Sequence, residues 1–190
     1  MSYKAIVGSN KVIELSEEGQ SDENDHLIGE NYYLRALIYF QMVNVYGRPY
    51  AQDPSSLGVP LKLTSDVDDR PDRNTVGEVY RQIVEDLEKA ESLMTVSKSS
   101  AFATNLSAKA LLSRVHLYME NNEKAVQYAT EVIESGEFSL VSTAELSNYM
   151  TVEPENNPET IFAIKYEKDS DYGSGLYTVG SLYANIQNVG

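Results

Sequence analysis

Cysteine and tryptophan are both missing from this chain, and proline occurs only six times in 190 residues. Without cysteine there can be no disulfide, no thiolate metal site and no cysteine nucleophile. Without tryptophan, any stacking against an apolar ligand face falls to the 14 tyrosines and 4 phenylalanines. Positive charge is scarce as well: 15 Lys and Arg stand against 29 Asp and Glu, a formal net charge of −14. No basic surplus is left to neutralise phosphates, which argues against nucleic acid and against docking on an anionic lipid surface. Residues 1–2 run straight into a helical pattern, with no charged n-region and no apolar h-region, so no targeting address is expected from these residues. The 42% hydrophobic and 23% charged content is that of an ordinary globular chain.

The most apolar stretch is 29–47, GENYYLRALIYFQMVNVYG. Its apolar and aromatic residues occupy nearly every direction around a helix, the pattern of a helix covered by other helices over most of its circumference. Arg35 at mid-length, with Gln41 and Asn44, is too costly in hydrocarbon for a membrane span. Gly47 is placed in the left-handed position after the last turn, and Pro49 keeps the helix from resuming. Arg35, if buried, needs an acidic partner, and Glu30 and Glu85 are the candidates.

Around this stretch the chain divides readily. Residues 3–15 put Tyr3, Ile6, Asn10 and Ile13 on one helical face. The acidic segment 16–25 is a loop, with Asn24 or Asp25 as the next N-cap. Residues 48–74 form a long Pro-, Gly- and Asp-rich loop with one apolar pulse, VPLKL at 59–63. Thr75 and Glu78 make a capping box that opens an amphipathic helix reaching about Met94. Thr104 or Asn105 caps a helix to about Glu120, and Asn121-Asn122 turns into another that Gly136 closes. That last helix carries Ala125, Tyr128, Ala129, Val132 and Ile133 as its buried stripe. So short a turn makes the two helices antiparallel neighbours. Residues 159–166, ETIFAIKY, alternate as a short strand does.

Residues 105–136 approach the length of one tetratricopeptide unit, roughly 34 residues. About half of that repeat's pattern is met, with Leu112 and Ser113 on its Leu-Gly pair and His116 where a tyrosine is usual. Small side chains at Ser113 and Ala125 let the two helices approach closely. The fold class is therefore mostly α: antiparallel, tetratricopeptide-like helical hairpins, with a short β or irregular C-terminal segment.

Taken together, GENYYLRALIYFQMVNVYG followed by GVPLKL, the helix VGEVYRQIVEDLEKAESLM, the hairpin ATNLSAKALLSRVHLYMENNEKAVQYATEVIESGEFSL and the preceding YKAIVGSNKVIEL resemble the SusD/RagB family in order and spacing. Asn10 falls on that family's usual asparagine. The resemblance covers about 3–140. It implies a non-catalytic, lipid-anchored glycan- or nutrient-binding protein of the outer membrane of Bacteroidetes-type bacteria. Such a protein works with a SusC-like TonB-dependent transporter as its partner and receives an oligosaccharide. Two departures stand out: no lipoprotein signal or acylated cysteine is present, and the family's chains are much longer. The expectation is a fragment in which 1–140 is the helical scaffold and 141–190 begins the irregular C-terminal part.

For sugar contact the loop aromatics are the candidates: Tyr50 beside Arg48, and Tyr172 beside Asp169 and Asp171. Tyr33, Tyr39, Tyr80, Tyr118 and Tyr128 lie on helix faces and are assigned to packing. The acidic run 66–72 alternates like a calcium loop but lacks the glycine and the glutamate that such a loop needs. His26 with Glu30 and His116 with Glu120 are i,i+4 pairs without a third ligand, so neither makes a metal site. No nucleophile elbow or phosphate loop is present, and neither a catalytic residue nor a cofactor is assigned. A carboxylate glycosidase has nothing to recommend it beyond the abundance of acids. The alternative function is a tetratricopeptide-like scaffold that binds a protein partner.

Overall fold

The computed structural model describes residues 2–165. Five helices make up most of it: α1 (Ser2–Leu15), α2 (Asp22–Tyr46), α3 (Val76–Leu93), α4 (Asn105–Tyr118) and α5 (Asn122–Glu134). Each packs chiefly on its neighbour in sequence, and the pair α2–α3 is the most intimate. The mostly helical, hairpin-built fold expected from the sequence is what is found.

Two local rules set the helix starts. Thr75 and Glu78 form the expected reciprocal capping box at α3. Thr104, rather than Asn105, caps α4 and makes a second such box with Ser107. Helix α2 begins a full two turns before Gly29. Its cap is Ser21, whose hydroxyl accepts from the Asn24 amide, in place of Asn24 or Asp25 themselves. Gly29 therefore sits inside the helix, where a Cβ would come within 2.6 Å of Met94 Cγ and 3.2 Å of the Ala90 carbonyl oxygen. The glycine lets the end of α3 lie directly on α2. Gly47 is not left-handed (φ −102°); a Cβ there would meet the Val43 carbonyl oxygen at 2.8 Å and Val76 Cγ2 at 3.0 Å. Close approach, not backbone sign, is its requirement.

The 48–74 stretch is more ordered than its composition predicts. The first two residues of its apolar pulse end β1 (Leu57–Pro60), which pairs antiparallel with β2 (Arg73–Thr75) just ahead of α3. The strand expected from the alternation at 159–166 does not form over 159–165. Among the described residues the chain there has no extended neighbour to pair with. Instead Ala163 donates its amide to the Ser100 carbonyl at 2.8 Å, and the Phe162 ring stands edge-on to Tyr33 at 5.0 Å. Alternation there places one aromatic on the core rather than building a sheet.

Several faces also differ from the pattern. Val45 and Tyr46 at the end of α2, Tyr118 on α4 and Ile133 on α5 are exposed, because no described helix lies outside them. At the hairpin, the predicted small-residue contact is present: Ser113 donates its hydroxyl to the Ala125 carbonyl at 2.8 Å. Lys109, where the repeat usually has tryptophan, joins three helices by pairing with Glu131 at 2.7 Å and Glu91 at 3.5 Å. No helix among the described residues is long and apolar enough to cross a membrane.

The interior is organised by a polar network. Arg35 is buried and meets Asp86 of α3, not Glu30 or Glu85, through two bonds of 2.7 Å (Nε) and 2.6 Å (Nη2). Position 86 rather than 85 faces α2, which decides the partner. Arg35 Nη1 donates to Asn10 Oδ1 at 2.8 Å, and the Asn10 amide nitrogen in turn donates to the carbonyls of Lys62 and Thr64. Tyr39 completes the grip: its hydroxyl donates to the Lys62 carbonyl at 2.9 Å and accepts the Lys62 amide at 2.7 Å. Burial pushes the Asp86 carboxyl up and the Tyr39 phenol far above its ordinary range, while Arg35 draws the carboxylate back down. Removing one member of such a pair leaves an uncompensated buried charge. Asp86→Asn is therefore expected to cost about 3–5 kcal/mol in urea unfolding, whereas a surface change such as Glu137→Gln shifts stability by under about 0.5 kcal/mol.

Candidate functional site

The Asn10 and Tyr39 bonds fix the 57–64 segment against α1 and α2, and a groove opens where they meet. It consists of two adjoining hollows of about 490 Å³ each that share Tyr3, Lys4 and Pro60. Val7, Val67 and Arg70 extend one hollow; Met42, Tyr46 and Arg73 extend the other. Tyr3 is held by its own hydroxyl, which donates to the Pro60 carbonyl at 2.9 Å. Partial burial raises its phenol pKa, and the charge of Arg73 pulls it back. Tyr46 offers an open ring face, being 67% exposed. Arg73 is locked in place: Nε donates to the Gly58 carbonyl at 2.7 Å, and Nη2 donates to those of Tyr46 and Leu57 at 3.1 Å each. Two aromatics and a fixed planar cation along an apolar trough are groups that bind sugar rings and hydroxyls.

The acidic run beside this groove is not a cation loop. The Lys62 ammonium is buried and donates to the carbonyls of Asp66 and Asp69, the kind of oxygens a metal would need, while Asp69 Oδ2 lies 4.0 Å away. Among the described residues, no cluster of three or more potential ligands for a metal is found.

A third hollow, about 510 Å³ and separate from the groove, lies between the start of α3 and the end of α4 and is lined by Tyr50, Arg81, Glu85, His116 and Met119. Tyr50 packs at 4.9 Å on Tyr80, and Arg48 is exposed and lines neither site. Tyr172 lies outside the described residues. Tyr3 and Tyr46 were not singled out from the sequence, because helix periodicity assigns both to packing; only the 57–60 strand laid beside them turns them into walls. Of the tyrosines assigned to the core, Tyr33, Tyr39, Tyr80 and Tyr128 are buried there.

Both histidines are buried structural groups. His26 Nδ1 accepts the Val96 amide at 3.1 Å, which places the proton on Nε2, 3.1 Å from the Ala103 carbonyl and 3.4 Å from Glu30. His116 stacks on Tyr128, with ring centroids 5.8 Å apart, and neither of its buried nitrogens has a partner among the described residues. Burial pushes both imidazoles below 6.5.

Comparisons with known proteins place the fold in a family. The SusD-like family model, described as starch-binding and associating with the outer membrane, matches residues 1–117. A SusD-like protein, P38, of Formosa agariphila is 32% identical over 93% of this chain and 36% of its own length. A SusD superfamily protein of Bacteroides thetaiotaomicron superposes with a TM-score of 0.86 at 33% identity, covering 97% of this chain and 42% of that one. A further structure, determined with a xylogluco-oligosaccharide, has a TM-score of 0.69 at 25% identity and covers 87% of this chain and 34% of that one. The chain belongs to the SusD-like family. It spans little more than a third of the length of the curated relative.

The histidines make stability depend on pH with a definite sign. Their folded pKa values lie below the unfolded value of 6.5, so the folded chain binds fewer protons below that pH. Stability is complete above about pH 6.5 and falls as pH drops from there toward the folded values. Urea midpoints at pH 7.5 and 5.0 are expected to show this loss, and His116→Phe, which removes two orphaned nitrogens, is expected to lessen it.

Proposed function

We propose that this chain is part of a non-catalytic glycan-binding protein, lipid-anchored and outward-facing on the outer membrane, that passes oligosaccharide to a SusC-like TonB-dependent transporter. Family membership supports the reading, as does the relative that shares the fold and was crystallised with a xylogluco-oligosaccharide. The observation that carries it to particular residues is the groove in which Tyr3, Tyr46 and the locked Arg73 converge. In this role the helical part, 1–140, is a rigid support, and the groove grips a sugar without transforming it. Tyr50 with the neighbouring Arg48 is a second proposed contact, on the rim of the third hollow. The length that the relatives have beyond the matched region supplies the rest of the binding platform.

A protein-docking role has one observation in its favour: Val126 and Ile133 on α5 are 65% and 75% exposed, seven residues apart on the same side of the helix. Pull-down of a barrel protein by the chain, lost in a Val126→Glu/Ile133→Glu variant, would favour it.

Calorimetry against a panel of oligosaccharides tests the glycan reading. Binding of at least one glycan class is expected. Tyr46→Ala, which removes an exposed ring and leaves the backbone carbonyl that Arg73 uses, is expected to weaken it by about tenfold, or ~1.4 kcal/mol. An unchanged affinity in that variant would remove the groove from the site.

A further inference from the structure

The charges around the groove run against those of the rest of the molecule. In a chain of net charge −14, its lining holds Lys4, Lys62, Arg70 and Arg73 against one acid, Asp69. Asp66, Asp68 and Asp72, from the same loop, do not line it. Asp69 is already occupied, accepting from the Thr64 hydroxyl at 3.0 Å and facing the Lys62 ammonium.

The remaining cations are poorly compensated, although carboxylates are abundant. Seven described lysines and arginines have a carboxylate within 4.0 Å. Lys4, Arg70 and Arg73 have none among the described residues. Lys11, Arg48, Arg81 and Arg114 likewise have no carboxylate within that distance among the described residues, so what sets the groove apart is the gathering of three such cations on one trough whose single acid is already occupied. Arg73 is the most telling. Three backbone carbonyls hold its Nε and Nη2, while Nη1 makes no hydrogen bond among the described residues. A guanidinium fixed on one edge and open on the other loses little freedom when an anion binds.

We propose that the groove takes an oligosaccharide bearing an anionic substituent, a carboxylate or a sulfate ester, with the apolar trough and Tyr46 on the sugar rings and Lys4, Arg70 and Arg73 on the charge. The proposal rests on the glycan reading above and narrows it to a chemical class. Charge-assisted bonds to such a group are roughly twice as strong as neutral ones, and a carboxylate or sulfate matches the planar fork of arginine.

The test is calorimetry on the 190-residue chain with three oligosaccharide sets of matched length: an oligogalacturonate, a sulfated galacto-oligosaccharide and a neutral galacto-oligosaccharide. At least one acidic set is expected to bind tenfold or more tightly than the neutral one, and which set does so tells carboxylate from sulfate. The double variant Lys4→Gln/Arg70→Gln, both positions exposed, is expected to erase that preference with an unchanged circular dichroism spectrum. Arg114→Gln, an exposed cation on α4 away from the groove, is expected to keep it. Neutral sugar bound as tightly as both acidic sets, or a preference that survives the double variant, overturns the anionic assignment and leaves glycan binding standing. Silence from all three sets overturns the glycan reading and this assignment together.

Discussion

The Arg35 guanidinium is the constraint on which the rest of the structure depends. A cation placed among core aromatics must be matched, and the match here uses three of its nitrogens: two on Asp86 from α3 and one on Asn10 from α1. Desolvating such a pair is expensive, and a well-packed apolar substitute would often be as stable. What the ionic version adds is register. Two short bonds to one carboxylate admit a single rotation of α3 against α2, and Asn10 carries that setting onward to the backbone of Lys62 and Thr64. The helix array and the irregular 48–74 segment are thereby tied into one arrangement.

The groove follows from this. Its floor and walls come from four parts of the chain that share no local sequence logic: the start of α1, the end of α2, strand β1 and the 67–73 segment. Tyr39 and Asn10 hold the middle of the connection from the inside, and Lys62 turns its ammonium back to hold the acidic turn from within. A loop with this many internal bonds is a rigid wall, suited to gripping a ligand without first being ordered by it. The hairpin α4–α5 takes no part in the groove. It follows the tetratricopeptide logic of close approach at small residues, with a lysine bridge in place of the usual aromatic.

What could be read in the residues was whatever depends on neighbours within a turn or two. The capping box at Thr75, the antiparallel hairpin at 105–136 and the coverage of α2 from 29 to 43, though not of its exposed end at 44–46, all rest on spacing and local chemistry, and each is found. The family resemblance was legible for the same reason, since it lies in the order of helical segments. The misses share another cause. Gly29 costs helix stability where it stands, and nothing local explains it; it is kept for the approach of Ala90 and Met94 from a helix distant in sequence. The alternation at 159–166 predicted a strand, but a strand needs a partner edge, and none is present among the described residues near 159–165.

The amino-acid sequence alone thus determined the helices, their pairing order and the net acidity, because these depend on periodicity, capping and composition. Only the tertiary structure decided which acid answers Arg35, which tyrosines face solvent and which cations gather along one groove. Those are matters of contact between residues tens of positions apart, and a one-position difference such as that between Glu85 and Asp86 turns a side chain by about 100° around its helix.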